Sequence, residues 1–212
     1  CWRCGYCHHP IRGRIMADPA YIVDGVLTDG EAWVGIAHAS LSLPAATVTW
    51  TSTNDGQTGD FSQYMDLVIV SYMRGTTASV NGNLTLNLNN DSTANIYSNQ
   101  VIRGDGTNDY ANNFSSAYFD LGEMVGGSAT PDVFGTNVFH LFDINSGKYK
   151  PIMARGASGD NTNTNSYSTF YVGTYKSQAP ITEIDLTSRN LGNFVVGSKF
   201  SLFGILPRMV TV

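Results

Sequence analysis

Charge is scarce in this sequence. Asp, Glu, Lys and Arg make up only 14% of its 212 residues, against about 25% in an average globular domain. The balance is −5, so no basic field exists to neutralise phosphates or draw the chain to anionic lipid, and no nucleic-acid partner is expected. Long apolar runs are also missing. Residues 67–70 and 194–196 are among the longest, far short of the roughly 20 residues a helix needs to cross a bilayer, so no membrane partner is expected. Cysteine is absent after position 7, and the body of the chain uses no disulfide. The stock catalytic patterns G-x-S-x-G, H-E-x-x-H and G-x-x-x-x-G-K-[ST] do not occur, and beyond residue 9 the only histidines are His38 and His140. That is thin material for catalysis, and the expectation is a protein that is not an enzyme.

Uncharged polar residues fill the gap: Gly 22, Thr 20, Ser 19 and Asn 18. These are poor helix formers that serve turns and hydrogen-bonding surfaces, which points to strands joined by many loops. The three cysteines and two histidines at the start read C-x2-C-x2-C-H-H. Cys1, Cys4, Cys7 and His8 are soft donors suited to zinc or iron. All of them sit on one short stretch without the second ligand pair a structural site takes, so no metal is expected there. Residues 1–15 are expected to be a non-native or upstream-translated extension, since Met16-Ala17-Asp18-Pro19 reads like an ordinary start, or else an ordered arm without metal.

Residues 16–60 read as an irregular arm, marked by the turn signals Asp24-Gly25 and Asp29-Gly30, with one strand at 47–53. A continuous β-branched run at 64–73 predicts a core strand buried on both faces. Leu84, Leu86 and Leu88 alternate with Thr85 and Asn87, the two-residue period of a half-buried strand, behind a turn at Asn81-Gly82. Residues 90–135 read as long loops with a short helical turn at 94–100. Strands resume at 138–144 and 149–154, a hairpin, then at 167–175, 181–186 and 200–206. About eight strands without an amphipathic helix predict an all-β fold, a jelly-roll-type β-sandwich with an extended N-terminal arm. The expected division is an arm over residues 1–60 and a sandwich domain over 61–212.

Two stretches carry a resemblance. One is Tyr64-x-Asp66-Leu67-x-Ile69-x-x-Tyr72-x-Arg74, followed by the leucine strand and Asn89-Asn90-Asp91. The other runs from Ile181-Thr182-Glu183-Ile184 through Gly192-Asn193-Phe194 to Gly197-Ser198-Lys199-Phe200-Ser201-Leu202-Phe203-Gly204-Ile205. Together they resemble a jelly-roll module of tailed-bacteriophage virion structural proteins over residues 61–206, departing at Phe203, where the family more often has tyrosine. The resemblance implies a structural protein of the virion, in a family that includes head decoration, cement, minor capsid and tail proteins; of these the expectation is a capsid decoration or cement protein, with the major capsid protein and copies of itself as partners, in a homotrimer. A tail or fibre protein that binds host carbohydrate or protein is the alternative it leaves open.

Among single residues, Trp33, Ile36 and Trp50 are large apolar groups in a low-charge setting and are expected to anchor an interface. Asp66 interrupts an apolar strand that Arg74 ends, and an ion pair involving either is expected if it is buried. His38 and His140 read as packed or surface histidines. Asp105 and Asp109 offer oxygen ligands for calcium, but no closing glutamate follows at the EF-hand position, so neither a metal nor any cofactor is expected. The acids Asp120, Glu123, Asp132 and Asp143 are available for sugar cleavage, but nothing in the sequence selects a pair. Tyr97, Tyr110, Tyr118, Tyr167 and Tyr171 stand beside polar stretches, which suits contact with carbohydrate or protein.

Overall fold

A computed structural model describes residues 22–23, 26–27, 33–53, 59–159, 166–189 and 192–206, and these form strands, turns and one short 3-10 turn at Phe61–Gln63. Two units are distinguished, residues 1–32 with 208–212, and residues 33–207. The first contains a two-stranded antiparallel ribbon, β1 (Ile22–Val23) with β2 (Val26–Leu27). The second contains β3 (Trp33–Ser40), β4 (Thr47–Thr51), β5 (Asp66–Met73), β6 (Asn81–Leu88), β7 (Tyr97–Gly104), β8 (Asp109–Ser116), β9 (Phe119–Val125), β10 (Gly135–Leu141), β11 (Lys150–Ser158), β12 (Tyr167–Tyr175), β13 (Glu183–Ser188) and β14 (Lys199–Ile205).

Two sheets hold these twelve strands. The larger runs β3-β14-β5-β10-β11-β12-β7-β8 and the smaller β4-β13-β6-β9. Setting aside the hairpins β7–β8 and β11–β12, the chain crosses from one sheet to the other at every step. Its ends pair first and its middle last: β3 with β14, β4 with β13, β5 with β10, β6 with β9. This is the rolled double ribbon of a jelly roll, and the two extra hairpins lengthen one sheet to eight strands. The core lies between the sheets. Trp50, Leu84, Leu86, Ile184 and Leu186 from the smaller sheet meet Leu67, Ile69, Phe139, Phe200 and Leu202 from the larger.

The expected all-β, jelly-roll-type sandwich is therefore present, and each of the eight expected strands has its counterpart; the expected arm before residue 33 lies mostly outside the described residues. Several finer expectations need correction. The domain begins at residue 33 rather than 61, because β3 and β4 are sheet strands bonded to β14 and β13. Residues 90–135 carry β7, β8 and β9 instead of loops and a helical turn, because long-range pairing overrides the weak strand propensity of their Asn, Ser and Asp. Asn81-Gly82 lies inside β6, and the turn comes after that strand, at Asn89 and Asn90, both in the left-handed region at φ 56° and 51°. The 64–73 run is buried on both faces only over residues 66–69. Leu67, Val68 and Ile69 are sealed, whereas Val70 and Tyr72 are exposed on the side away from the core.

One irregularity sets how the side chains of β9 face. Opposite β6, Thr85 pairs with Asp120 and Leu84 with Gly122, so Leu121 is an inserted residue, a β-bulge. Gly122 has φ 101°, and a Cβ there would stand 2.8 Å from Thr169 Oγ1. Gly122→Ala is expected to lower stability by roughly 1–3 kcal/mol through backbone strain and this crowding, read as a shift in the urea unfolding midpoint with an unchanged slope.

Candidate functional site

Strand β9 has every residue buried, because β10, β11 and β12 of the large sheet pack against it. Its bulge decides which way its acids face. Asn83 and Thr85 share the outer face of β6, and their partners Glu123 and Asp120 share that face too, despite standing three apart in sequence. The bulge thus brings together two of the four acids that the sequence could not rank. Asp132 and Asp143 stand elsewhere, in turns with φ 64° and 54°.

Each acid has a cation. Arg103 of β7 donates through Nη1 to Glu123 Oε1 at 2.5 Å, and Arg189, just past β13, approaches Asp120 Oδ2 at 3.9 Å. Asp120 Oδ1 accepts the Gly122 backbone N–H at 3.1 Å, and Oδ2 accepts Asn83 Nδ2 at 3.4 Å. Tyrosine rings hold the guanidinium groups in place: Arg103 lies 4.7 Å from the Tyr110 centroid and 5.4 Å from that of Tyr167, and Arg189 lies 4.8 Å from Tyr118. Burial raises both acids above the usual carboxylate range. For Asp120 it outweighs the Gly122 and Asn83 hydrogen bonds and the arginines; for Glu123 it outweighs Arg103 and is reinforced by the Asp120 charge.

Paired acids raised by burial are what acid catalysis of sugar cleavage uses, but that chemistry needs a ring between the carboxyls. Here the side chains of Asp120 and Glu123 keep only 5% and 7% of their exposure, under arginines that are themselves stacked on tyrosines. The arrangement is built to clasp. It ties the β7–β8 hairpin to the edge strand β9, as does Asn99 Oδ1, which accepts the Asp120 N–H at 2.8 Å, while Asn137 Nδ2 of β10 donates to Glu123 O at 3.3 Å from the other side. Arg103 and Arg189 were not singled out in the sequence. The available signal was an arginine within an otherwise uncharged segment, 97–104, whose strand character was itself missed.

The other expected residues are scattered over the fold. Trp50 is 5% exposed and part of the core, so it is no interface anchor. Ile36 is half-buried against the core. Trp33 remains 51% exposed, its ring 6.0 Å from that of Phe203. Asp66 and Arg74 do not pair with each other. Asp66 contacts His140 Nε2 at 2.8 Å through Oδ2 and accepts the Asp143 N–H at 2.8 Å through Oδ1, while the His140 ring stacks on Phe142 at 3.8 Å. The buried Arg74 donates instead to four carbonyls, those of Thr130 (2.5 Å), Val133 (3.1 Å), Gly127 (3.1 Å) and Ala129 (2.7 Å), and so shapes the loop between β9 and β10. His38 Nδ1 lies 2.9 Å from Ser201 Oγ. Tyr97 and Tyr171 are buried in the core, which corrects their expected place beside loops; Tyr110, Tyr118 and Tyr167 stack on the two arginines.

Cys1, Cys4, Cys7 and His8 lie outside the described residues. Asp105 caps its own turn, accepting from the N–H groups of Thr107 (2.8 Å) and Asn108 (2.6 Å), and Asp109 is exposed at the start of β8. Among the described residues no group of three or more His, Cys, Asp or Glu side chains is placed to hold a metal. No family model, curated protein or solved structure matches the chain.

Two measurements test the clasp and the loop. An acid whose folded pKa lies above its unfolded value binds its proton more readily when folded. Asp120 and Glu123 therefore oppose folding fully above their folded values and less as pH falls through them toward the ordinary carboxylate range. As pH falls from neutrality toward the ordinary carboxylate range, the Glu123→Gln protein is expected to gain less thermal stability than the unsubstituted chain; equal slopes by calorimetry would remove Glu123 from the account. Arg74→Met strands four carbonyls that a thioether cannot serve and is expected to cost at least about 3 kcal/mol, measured by denaturant unfolding.

Proposed function

We propose that this chain is a structural, non-enzymatic component of a tailed-phage virion, a decoration or cement protein of the head that packs against the major capsid protein and copies of itself. The observation that carries this is where the resembling stretches lie. The first, 64–74, is β5 with its flanks, and the second ends as β14. These two strands are direct neighbours, paired residue for residue from Lys199 with Tyr72 to Ile205 with Asp66, at the heart of the jelly roll. The likeness therefore rests on segments that make one folded unit, which is stronger support than two isolated motifs. Fold alone assigns no function, so the residue pattern supplies the virion and the topology supplies its coherence.

The mechanism is mass action. A protein that binds the assembled lattice and not its free subunits stabilises the lattice, and repetition over the shell turns modest contacts into strong reinforcement. A low-charge surface rich in hydroxyls and amides suits broad, wet contacts of this kind.

Mass spectrometry and image reconstruction of purified particles test the proposal. The expected result is on the order of hundreds of copies spread over the head. A few copies at one vertex or along the tail would replace decoration with the adhesive alternative, and absence from the particle would end the virion reading altogether.

A further inference from the structure

The large sheet has two faces, one packed on the core; among the described residues the other is sealed near the start of β5, at Asp66 and Val68, and open over much of the remaining strands. Cross-strand register shows what the other presents. One row across the sheet places Val70, Val138, Phe170 and Ile102 side by side on successive or near-successive strands, interrupted by Arg155. The next row contributes Phe203, Met153 and Val172, with the buried Val68 and the polar His140 and Gln100 among them. Alternation with the sealed core positions Ile69, Phe139, Ile152 and Tyr171 puts all of these on the side away from the core. Ile102 is 64% exposed, Phe170 41% and Val70 37%. Tyr72, also exposed, stacks on Phe134 at 4.8 Å and extends the surface. A groove of about 350 Å³ between Ile102, Phe170, Val172 and Ala111 indents it.

We propose that this outer face of the eight-stranded sheet is where a second copy of the chain docks, sheet against sheet. Three features select that occupant. Size is the first: eight strands about 4.8 Å apart and 7–9 residues long make a footprint of roughly 34 by 25 Å, close to the roughly 800 Å² per partner that a stable interface buries. Chemistry is the second. The middle of the face carries Val70, Val138, Phe170 and Ile102 around Arg155, with His140 and Gln100 in the adjacent row, while Lys199, Ser168, Thr136 and Asp109 lie in one row toward its margin, an apolar cluster within a polar rim. Self-complementarity is the third, since one face carries both the groove and the projecting Ile102, Phe170 and Tyr72 side chains that an isologous contact would interleave. Such a self-contact suits the proposed virion component but stands on the face alone, and it can fail or hold independently of where the chain resides.

The test uses the full chain in solution. Sedimentation velocity at about 100 µM is expected to show an oligomer. Val70→Glu with Ile102→Glu places two charges in the contact and is expected to weaken self-association at least about 100-fold, while Thr49→Glu, on the outer face of the small sheet, leaves it unchanged. Both altered positions are exposed, so the thermal midpoint of the diluted protein should hold. If the double variant nonetheless fails to fold, hydrogen exchange on the unaltered chain decides the matter: raising the concentration should slow exchange in β5, β10, β12 and β7 and not in β4. A monomer at this concentration overturns the proposal, including a monomer with a protected face, which would mean that the chain's own flanking residues cover it. An oligomer indifferent to the double substitution overturns it as well.

Discussion

The ladder between β5 and β14 is the constraint on which the rest of the fold depends. It joins residues more than a hundred positions apart in one unbroken antiparallel register, and β3 has its place only because β14 offers it a second edge. Closing such distant segments has a large entropic cost before any contact rewards it. The reward is concentrated in the side chains on the inner face of these two strands: Leu67, Ile69, Phe200 and Leu202 are all fully buried. With the ends clamped, β4 and β13 stack above them, and the middle of the chain folds back between.

A chain with so few charges could keep them all in water, yet several are buried, and each has been given partners by a different route. Arg74 is surrounded by carbonyls of a single loop, and Lys150 is held by the carbonyls of Lys148, Ser177 and Gln178, with burial pulling its ammonium below the usual lysine value. These cations use backbone acceptors that turns would otherwise leave unsatisfied. Asp120 and Glu123 have arginines instead, because they lie on an edge strand whose neighbour in space is not its neighbour in the sheet. The polar cross-links at β9 do for the added hairpins what apolar packing does for the jelly roll. Tyr97 continues the pattern, its hydroxyl accepting the buried Leu88 N–H at 2.8 Å while its ring stacks on Tyr175 at 5.0 Å.

The two sheets divide the molecule's surface by chemistry. On the small sheet the outward side chains are Thr47, Thr49, Asn87, Asp185 and Thr187, several bonded to one another across strands. On the large sheet exposed apolar side chains, Val70, Tyr72, Ile102 and Phe170, stand among polar ones such as Arg155 and Gln100. Exposed apolar area favours association, and a hydroxyl-rich area keeps the surface of the small sheet hydrated. The added hairpins β7–β8 and β11–β12 double the larger sheet from four strands to eight, and with it the outer face on which Ile102 and Phe170 stand exposed.

The fold was legible wherever burial imposed a period. Leu84, Leu86 and Leu88 announced β6 and its inner face, the β-branched run announced β5, and the turn at Gly147 announced the β10–β11 hairpin. It was illegible where strands are held by partners instead of by their own composition: β7 and β8 are polar, β3 mixes small residues with a bulge, and β9 breaks its alternation at Gly122. The candidate site was less legible still. The four acids were visible in the sequence, but which two meet depends on one inserted residue that flips the parity of a strand, and their arginines come from β7 and from the end of β13. Composition and periodicity alone determined that the chain is all-β and low in charge, because these depend on local preference and solvent. Tertiary structure alone decided where the domain begins, which charges are buried and which apolar side chains are left uncovered, because each depends on residues that become neighbours only once distant strands have paired.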